Sequence, residues 1–250
     1  MNCRKFIALS VAFMGMLTYH ANAQKLKNFL ENKDSSFLWL GVDFTQARLI
    51  GDAGAKVDQI VETDFPAMNQ VIVNETKKYH IPDMFHREKY NTSITLVNKH
   101  NEGVNKDAFK SDESADFERL KPEDITKVVK SYDFSGKHGV GVLFVMEGMS
   151  KSSKSASMWV TIVDMDRKNV LMTERYVGKG QKWSFAWRNY WLAMIKDVMD
   201  NVDDDYKKLK EKYASAVDPE EEKPVVAPAP KKEGKTGVAT KETKKPKKKG

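Results

Sequence analysis

VGVLFVM, residues Val140 to Met146, is the run on which the fold turns. Both of its alternating faces are apolar: Val140, Val142, Phe144 and Met146 on one, Leu143 and Val145 on the other. A strand buried on two sides belongs at the centre of a sheet. After a Ser/Lys-rich loop come a second run, Met158 to Met165, and a third, Val170 to Val177. The third alternates more visibly, with Thr173 and Arg175 on one face and Glu174 on the other, which suits a strand nearer an edge. Asp166-Arg167-Lys168-Asn169 reads as the hairpin connection between the last two. A helix then follows from about Ser184 to Ala214. Ser184 is its cap candidate, and Trp187, Tyr190/Trp191, Met194/Ile195, Val198 and Val202 form its inner stripe.

Towards the N-terminus, Phe37 to Phe44 (FLWLGVDF) is a strong strand whose pairing extends toward Ile50, and Gly51 to Gly54 is turn chemistry. From Lys56 to Tyr79 apolar residues recur at helical spacing. Pro66 kinks that helix or starts a second one capped by Thr63 or Asp64. A short strand is centred on Ile94 to Val97, and Asn105 to Leu120 reads as a polar surface loop. Pro122 to Tyr132 is a short helix turning Ile125, Val128 and Val129 inward. The expected fold class is therefore α+β, an α/β sandwich. A single mixed sheet of about five strands, in the order β-α-β-α-β-β-β-α, carries helices packed on it.

The chain has 250 residues and a net charge of +7, with 40% hydrophobic residues and five tryptophans, enough for a packed core. The charge is unevenly placed. Residues 223–250 hold 10 Lys and 2 Glu, a balance of +8, and Arg4 and Lys5 add +2, which leaves residues 24–222 at −3. Residues 1–23 have a charged start, an apolar stretch from Phe6 to Leu17 and small residues in Ala21-Asn22-Ala23. That is the pattern of a cleavable secretory signal cut after Ala23, which places the protein in the periplasm or outside the cell. Residues 24–36 read as a polar lead-in or short helix, residues 37–216 as the α/β domain, and residues 217–250 as a disordered Pro/Lys-rich tail. The only cysteine, Cys3, lies in the signal. The processed chain then lacks a thiol, which excludes a disulfide, a cysteine nucleophile and a thiolate metal site.

Candidate chemistry is sparse. His80, Asp83, His86 and Glu88 crowd into HIPDMFHRE, but the spacing matches no zinc motif and Pro82 prevents an i, i+4 pair on one helix. His100 and His138 stand alone in segments read as exposed loops. Asp164, Asp166 and Asp203-Asp204-Asp205 are the acidic concentrations near the core, one read as turn chemistry and the other as a polar helix side. Gly178-Lys179-Gly180 precedes a helix where an anion could be held. Trp183, Trp187 and Trp191 share a helix face, and Trp183 at its start is the one left open. Trp183 and Lys179 are therefore the candidate ligand contacts. No cofactor fingerprint, metal motif or convergent set of nucleophile, base and orienter is legible, so no catalytic residue, metal or cofactor is assigned. Lys231, Lys232, Lys235, Lys241, Lys244, Lys245, Lys247, Lys248 and Lys249 form the strongest compositional signal. Such a run binds polyanions or an anionic membrane surface through counterion release, without sequence-specific nucleic-acid recognition.

The glycine-flanked apolar strand Gly139 to Gly148, followed by the strand and aspartate-containing hairpin Val160 to Asn169, resembles a small periplasmic α/β domain. That domain is shared by the TolB amino-terminal domain, the curli-secretion channel protein and the lipoprotein activators of penicillin-binding proteins. The resemblance covers about residues 37–200 and implies an adaptor that binds another envelope protein, with no active site to carry over. The chain departs from it by lacking a lipid-anchor cysteine and by adding the lysine tail. The functional expectation is a non-enzymatic exported adaptor in cell-envelope assembly or maintenance. The alternatives are a secreted glycan hydrolase using Asp164 or His138, or an anionic-ligand binder working through the tail.

Overall fold

The Val140 to Met146 run does form the middle strand. The computed structural model describes residues 25–134, 136–180 and 186–216, and its α+β fold is a mixed sheet with helices on both faces. Strand β5 (Val140–Ser150) pairs antiparallel along its whole length with β6 (Ser155–Asp164), which pairs in turn with β7 (Asn169–Lys179). On its other side β5 runs parallel to two short strands in succession. These are β1 (Phe37–Asp43), opposite Gly141 to Val145, and β2 (Arg48–Ile50), opposite Gly148 to Ser150. Beyond them β3 (Tyr90–Thr92) lies along β1 and β4 (Lys110–Ser111) along β2. Seven strands thus occupy five positions, because two of those positions hold a strand broken in two.

Helices α1 (Lys25–Glu31), α2 (Phe65–Asn74) and α5 (Trp187–Lys212) cover one face, where Trp39 meets Phe144 edge to face at 5.0 Å and Trp191 is fully buried. Helices α3 (Thr95–Asn101) and α4 (Pro122–Ser131) supply the smaller core on the other face, with Leu40, Leu143, Val145 and Trp159. The segment read as a lead-in or short helix does form a short helix, and Leu26, Phe29 and Leu30 of α1 are buried in the main core. Each such side chain contributes about 1.5–3 kcal/mol. The helix expected around Pro66 is present. A single π-helical turn, Ile60–Asp64, precedes Phe65–Asn74, and Asp64 makes no side-chain cap there. Among the described residues no helix is long and apolar enough to cross a membrane.

Two expectations fail on the same stretch of sheet. Ile94 to Val97 is not a strand: Thr95–Asn101 is helical, and the strand next to it is the three-residue β3. Tertiary packing overrides the β-preference of Ile94, Thr95 and Val97, because helix α3 fills the gap between β3 and β4 beside β1. Asn105 to Leu120 is likewise not a plain surface loop, since it carries β4, a 3₁₀ turn Ser114–Glu118 and the buried Phe109 and Leu120.

Where β1 lacks a strand neighbour, two buried asparagines take the place of the ladder. Asn69 of α2 accepts from the Val42 amide at 2.7 Å and donates to the Val42 carbonyl at 3.0 Å. Asn101 of α3 accepts from the Phe44 amide at 2.7 Å and donates to the same carbonyl at 3.1 Å. Such groups, buried and unpaired, would each cost about 1–3 kcal/mol. Gly41 permits this close approach. Its φ is +111°, and a Cβ there would lie 2.7 Å from Val97 and 2.8 Å from the Asn69 amide oxygen.

Replacing Gly41 by alanine is therefore expected to lower the unfolding free energy by about 2–6 kcal/mol, from strained backbone and overpacking together. Urea unfolding measures this, and a loss below about 1 kcal/mol would contradict the packing described.

Candidate functional site

Chain geometry at the break between β1 and β2 builds a cleft. Between the partner positions Val145 and Gly148, β5 spends two residues, whereas the β1–β2 chain spends four, Phe44 to Ala47. The excess bows away from the sheet. Phe44 anchors it by stacking on Phe65 at 3.9 Å, and Thr45, Gln46 and Arg48 are left lining an open cleft of about 750 Å³. Helices α3 and α4 supply the opposite wall, including His100, Lys127 and Ser131, and Arg119 closes it.

Asp43 lies behind the His100 and Thr45 lining, with no exposed surface. It accepts hydrogen bonds from the Thr45 amide (2.7 Å), the Thr45 hydroxyl (2.6 Å), His100 Nδ1 (2.8 Å) and the Tyr132 hydroxyl (2.6 Å). Nε2 of His100 is 3.0 Å from Ser131 Oγ, and the His100 ring stacks on Tyr132 at 4.2 Å. Asp43, His100 and Ser131 thus stand in the order of a hydrolase relay. The hydroxyl of Ser131 also donates to the Val128 carbonyl at 2.7 Å, shorter than its contact with His100. Burial pushes the Asp43 carboxyl up, but the bond and charge of His100 and the hydroxyls of Thr45 and Tyr132 outweigh it and hold the group below the usual carboxylate range. Burial, reinforced by the Asp43 charge, raises the Tyr132 phenol well above its ordinary value.

A second buried carboxylate, Glu147, is the extra residue of a bulge in β5. It accepts from Ser157 Oγ (3.0 Å), Trp159 Nε1 (3.0 Å), Arg175 Nε (2.9 Å) and the Leu120 amide. Arg175 also lies over the Trp159 ring at 4.6 Å. With its charge matched and its oxygens fully used, Glu147 fastens β5, β6 and β7 to the segment before α4.

Most of the residues singled out by sequence fall elsewhere. His100 is not an exposed loop histidine: it lies in α3, and its contact with Asp43 depends on the same helix that replaces the expected strand. His138 is exposed and meets Asp166 at 2.6 Å. Lys25 binds both Asp164 (2.6 Å) and Asp166 (2.8 Å). Asp164, Asp166 and His138 therefore do come together, as an ion cluster pinning α1 to the β6–β7 turn, outside the cleft. His80 pairs with Asp83 at 2.9 Å and His86 with Asp203 at 2.8 Å, two separate contacts. Among the described residues no group of three or more His, Cys, Asp or Glu is placed to hold a metal ion. Lys179 ends β7 with its amide donated to Asp197 at 2.9 Å. Gly178 presses on α5, where a Cβ would meet the Met194 carbonyl at 2.0 Å, so this glycine serves strand-to-helix packing. Trp191 is core, and Trp187 is half-buried against Phe65. Trp183, Ser184 and the lysines from Lys231 to Lys249 lie outside the described residues, as do the signal and its cleavage point.

Sequence reasoning missed Asp43, Arg48, Arg119, Ser131, Tyr132 and Glu147. One signal was available: Asp43-Phe44-Thr45 at the end of an apolar strand is the pattern of an aspartate that bonds the amide two residues on.

No protein-family model matches the chain, and no curated protein matches it significantly. Among solved structures it is similar to a protein described as a neuraminyllactose-binding hemagglutinin homolog from Helicobacter pylori. The identity is 11%, with 74% of this chain and 91% of the other covered, and the TM-score is 0.29. A likeness at that score carries nothing about this chain's ligand.

Because the folded Asp43 is held below its unfolded value of about 3.9, the stability it contributes is complete above that pH and is lost as pH falls through the lower folded value. Asp43→Asn is expected to cost about 2–4 kcal/mol at neutral pH and to lose less further stability than the parent between about pH 5 and pH 3. Urea unfolding at the three pH values checks this. A variant as stable as the parent at neutral pH would contradict it.

Proposed function

We propose that this chain is an exported, non-enzymatic α/β adaptor of the cell envelope, which works by holding an extended segment of another envelope protein along β7. One observation carries the reading. Strand β7 has eleven residues, lies at the sheet margin and pairs only with β6 among the described residues. A groove of about 610 Å³ runs between it and α5, lined by Glu174, Tyr176 and Val177 on the strand and Asp204, Lys208 and Leu209 on the helix. A long unpaired edge is a template for strand addition, with main-chain bonds giving affinity and flanking pockets giving selectivity. The charges of the groove are mixed in sign, which suits a polar peptide better than a uniformly charged one. The resemblance to envelope adaptor domains and the secretory pattern of residues 1–23 agree with this reading, and the lysine tail adds a weak polyanion contact.

A photo-crosslinking residue at Tyr176, introduced into the intact organism, is expected to capture a discrete envelope protein, while one at Lys99 on α3 captures none. Equal capture from both positions would overturn the docking surface.

A second reading, a serine hydrolase, is favoured by Asp43, His100 and Ser131. It ranks lower for two physical reasons. The Ser131 hydrogen is already donated to Val128. Ser131 also ends α4, where helix carbonyls present negative charge and repel a developing oxyanion rather than stabilise it. An active-site-directed fluorophosphonate is expected to leave the protein unlabelled. Labelling abolished by Ser131→Ala would reverse the ranking.

A further inference from the structure

The cleft behind the β1–β2 break has an imbalance that the adaptor reading does not use. Arg48 of β2 and Arg119 both line it; burial lowers the Arg119 guanidinium from its ordinary value, and the charge of Arg48 adds to that. Arg48 makes one hydrogen bond, from Nη1 to the Ala47 carbonyl at 3.1 Å, and forms no ion pair with a described residue. Arg119 donates Nη2 to the Gln46 carbonyl, while its Nε is buried without a hydrogen-bond partner and faces Asp116 only at 4.0 Å.

The other charges nearby are spoken for. Asp124 is taken by Lys127 at 3.0 Å and by the Lys121 amide at 3.1 Å. Glu147 belongs to Arg175, and Asp43 to His100 and Tyr132. The lining therefore carries a net positive charge, and two arginines border an open space of ligand size. Hydroxyls and amides of Thr45, Gln46, Asn105 and Ser131 ring that space.

We propose that this cleft is a recognition site for a small polar ligand carrying a carboxylate or phosphate group, gripped by Arg48 and Arg119, with Lys127 at the rim. Planar guanidinium forks suit either oxyanion, through paired N–H···O contacts. An arriving anion relieves the mutual repulsion of the two arginines and satisfies the buried Nε of Arg119. His100 is not the anchor, because Asp43 and Ser131 hold both of its ring nitrogens. The site is independent of the β7 edge, so the failure of either leaves the other standing.

The test follows the arginine side-chain N–H resonances of the full processed chain while inorganic phosphate or D-glucuronate is added. Saturable shifts of the Arg48 and Arg119 Nε–H signals are expected with at least one probe. Phosphate alone points to a phosphorylated ligand, glucuronate alone to a carboxylated one, and both to an oxyanion site of either kind. Arg48→Gln, which removes no ion pair, is expected to weaken that binding by at least about tenfold with unchanged thermal stability. Anion uptake by the lysine tail would survive this substitution. No shift with either probe, or unaltered affinity in Arg48→Gln, would overturn the proposal.

Discussion

The interruption of one sheet position between β1 and β2 is the constraint on which the rest of the molecule depends. Four residues must bow out opposite two of β5, so the chain leaves the ladder at Asp43 and rejoins it at Arg48. A sheet can bear such a break only if the stranded backbone groups find partners. Asn69 and Asn101 provide them from two different helices, and Gly41 lets those helices come close. The same detour places Thr45, Gln46 and Arg48 around a cleft, with Asp43 buried behind them. The candidate site is thus a by-product of the way the sheet is closed.

This explains why Asp43, His100 and Ser131 stand in the order of a catalytic relay. Asp43 is buried because the strand turns there, and a buried carboxylate needs donors. His100, Thr45 and Tyr132 satisfy that need. Ser131 meets His100 because α4 ends beside α3. The feature without such a debt to discharge is Arg48. Arg119 holds the bowed segment through the Gln46 carbonyl and faces Asp116 at 4.0 Å, whereas Arg48 forms no ion pair with a described residue.

The half of the fold built from β5, β6, β7 and α5 was legible because each element has its own unbroken apolar signal. Val140 to Met146 is apolar on both faces and is central; Val170 to Val177 alternates and lies at the margin. The other half was misread where tertiary context decides. The β-prone Ile94, Thr95 and Val97 belong to a helix and its cap, since that helix brings Asn101 to a strand far away in sequence. Asp43 and His100 are 57 residues apart, and no local pattern joins them. Arg119 sat in a stretch rich in charge and therefore read as loop. Composition alone made the lysine tail visible, and it reports on charge, not on a folded site.

Amide hydrogen exchange at Val42 and Phe44 tests the central claim most directly. These two N–H groups should exchange as slowly as those of Val142 and Phe144 in β5, although no strand lies on their side. Asn101→Ala should release Phe44 selectively while β5 stays protected. Exchange of Val42 and Phe44 at the rate of open-loop amides in the unsubstituted protein would show that the asparagines do not bridge the break, and the account of fold and cleft would fall together.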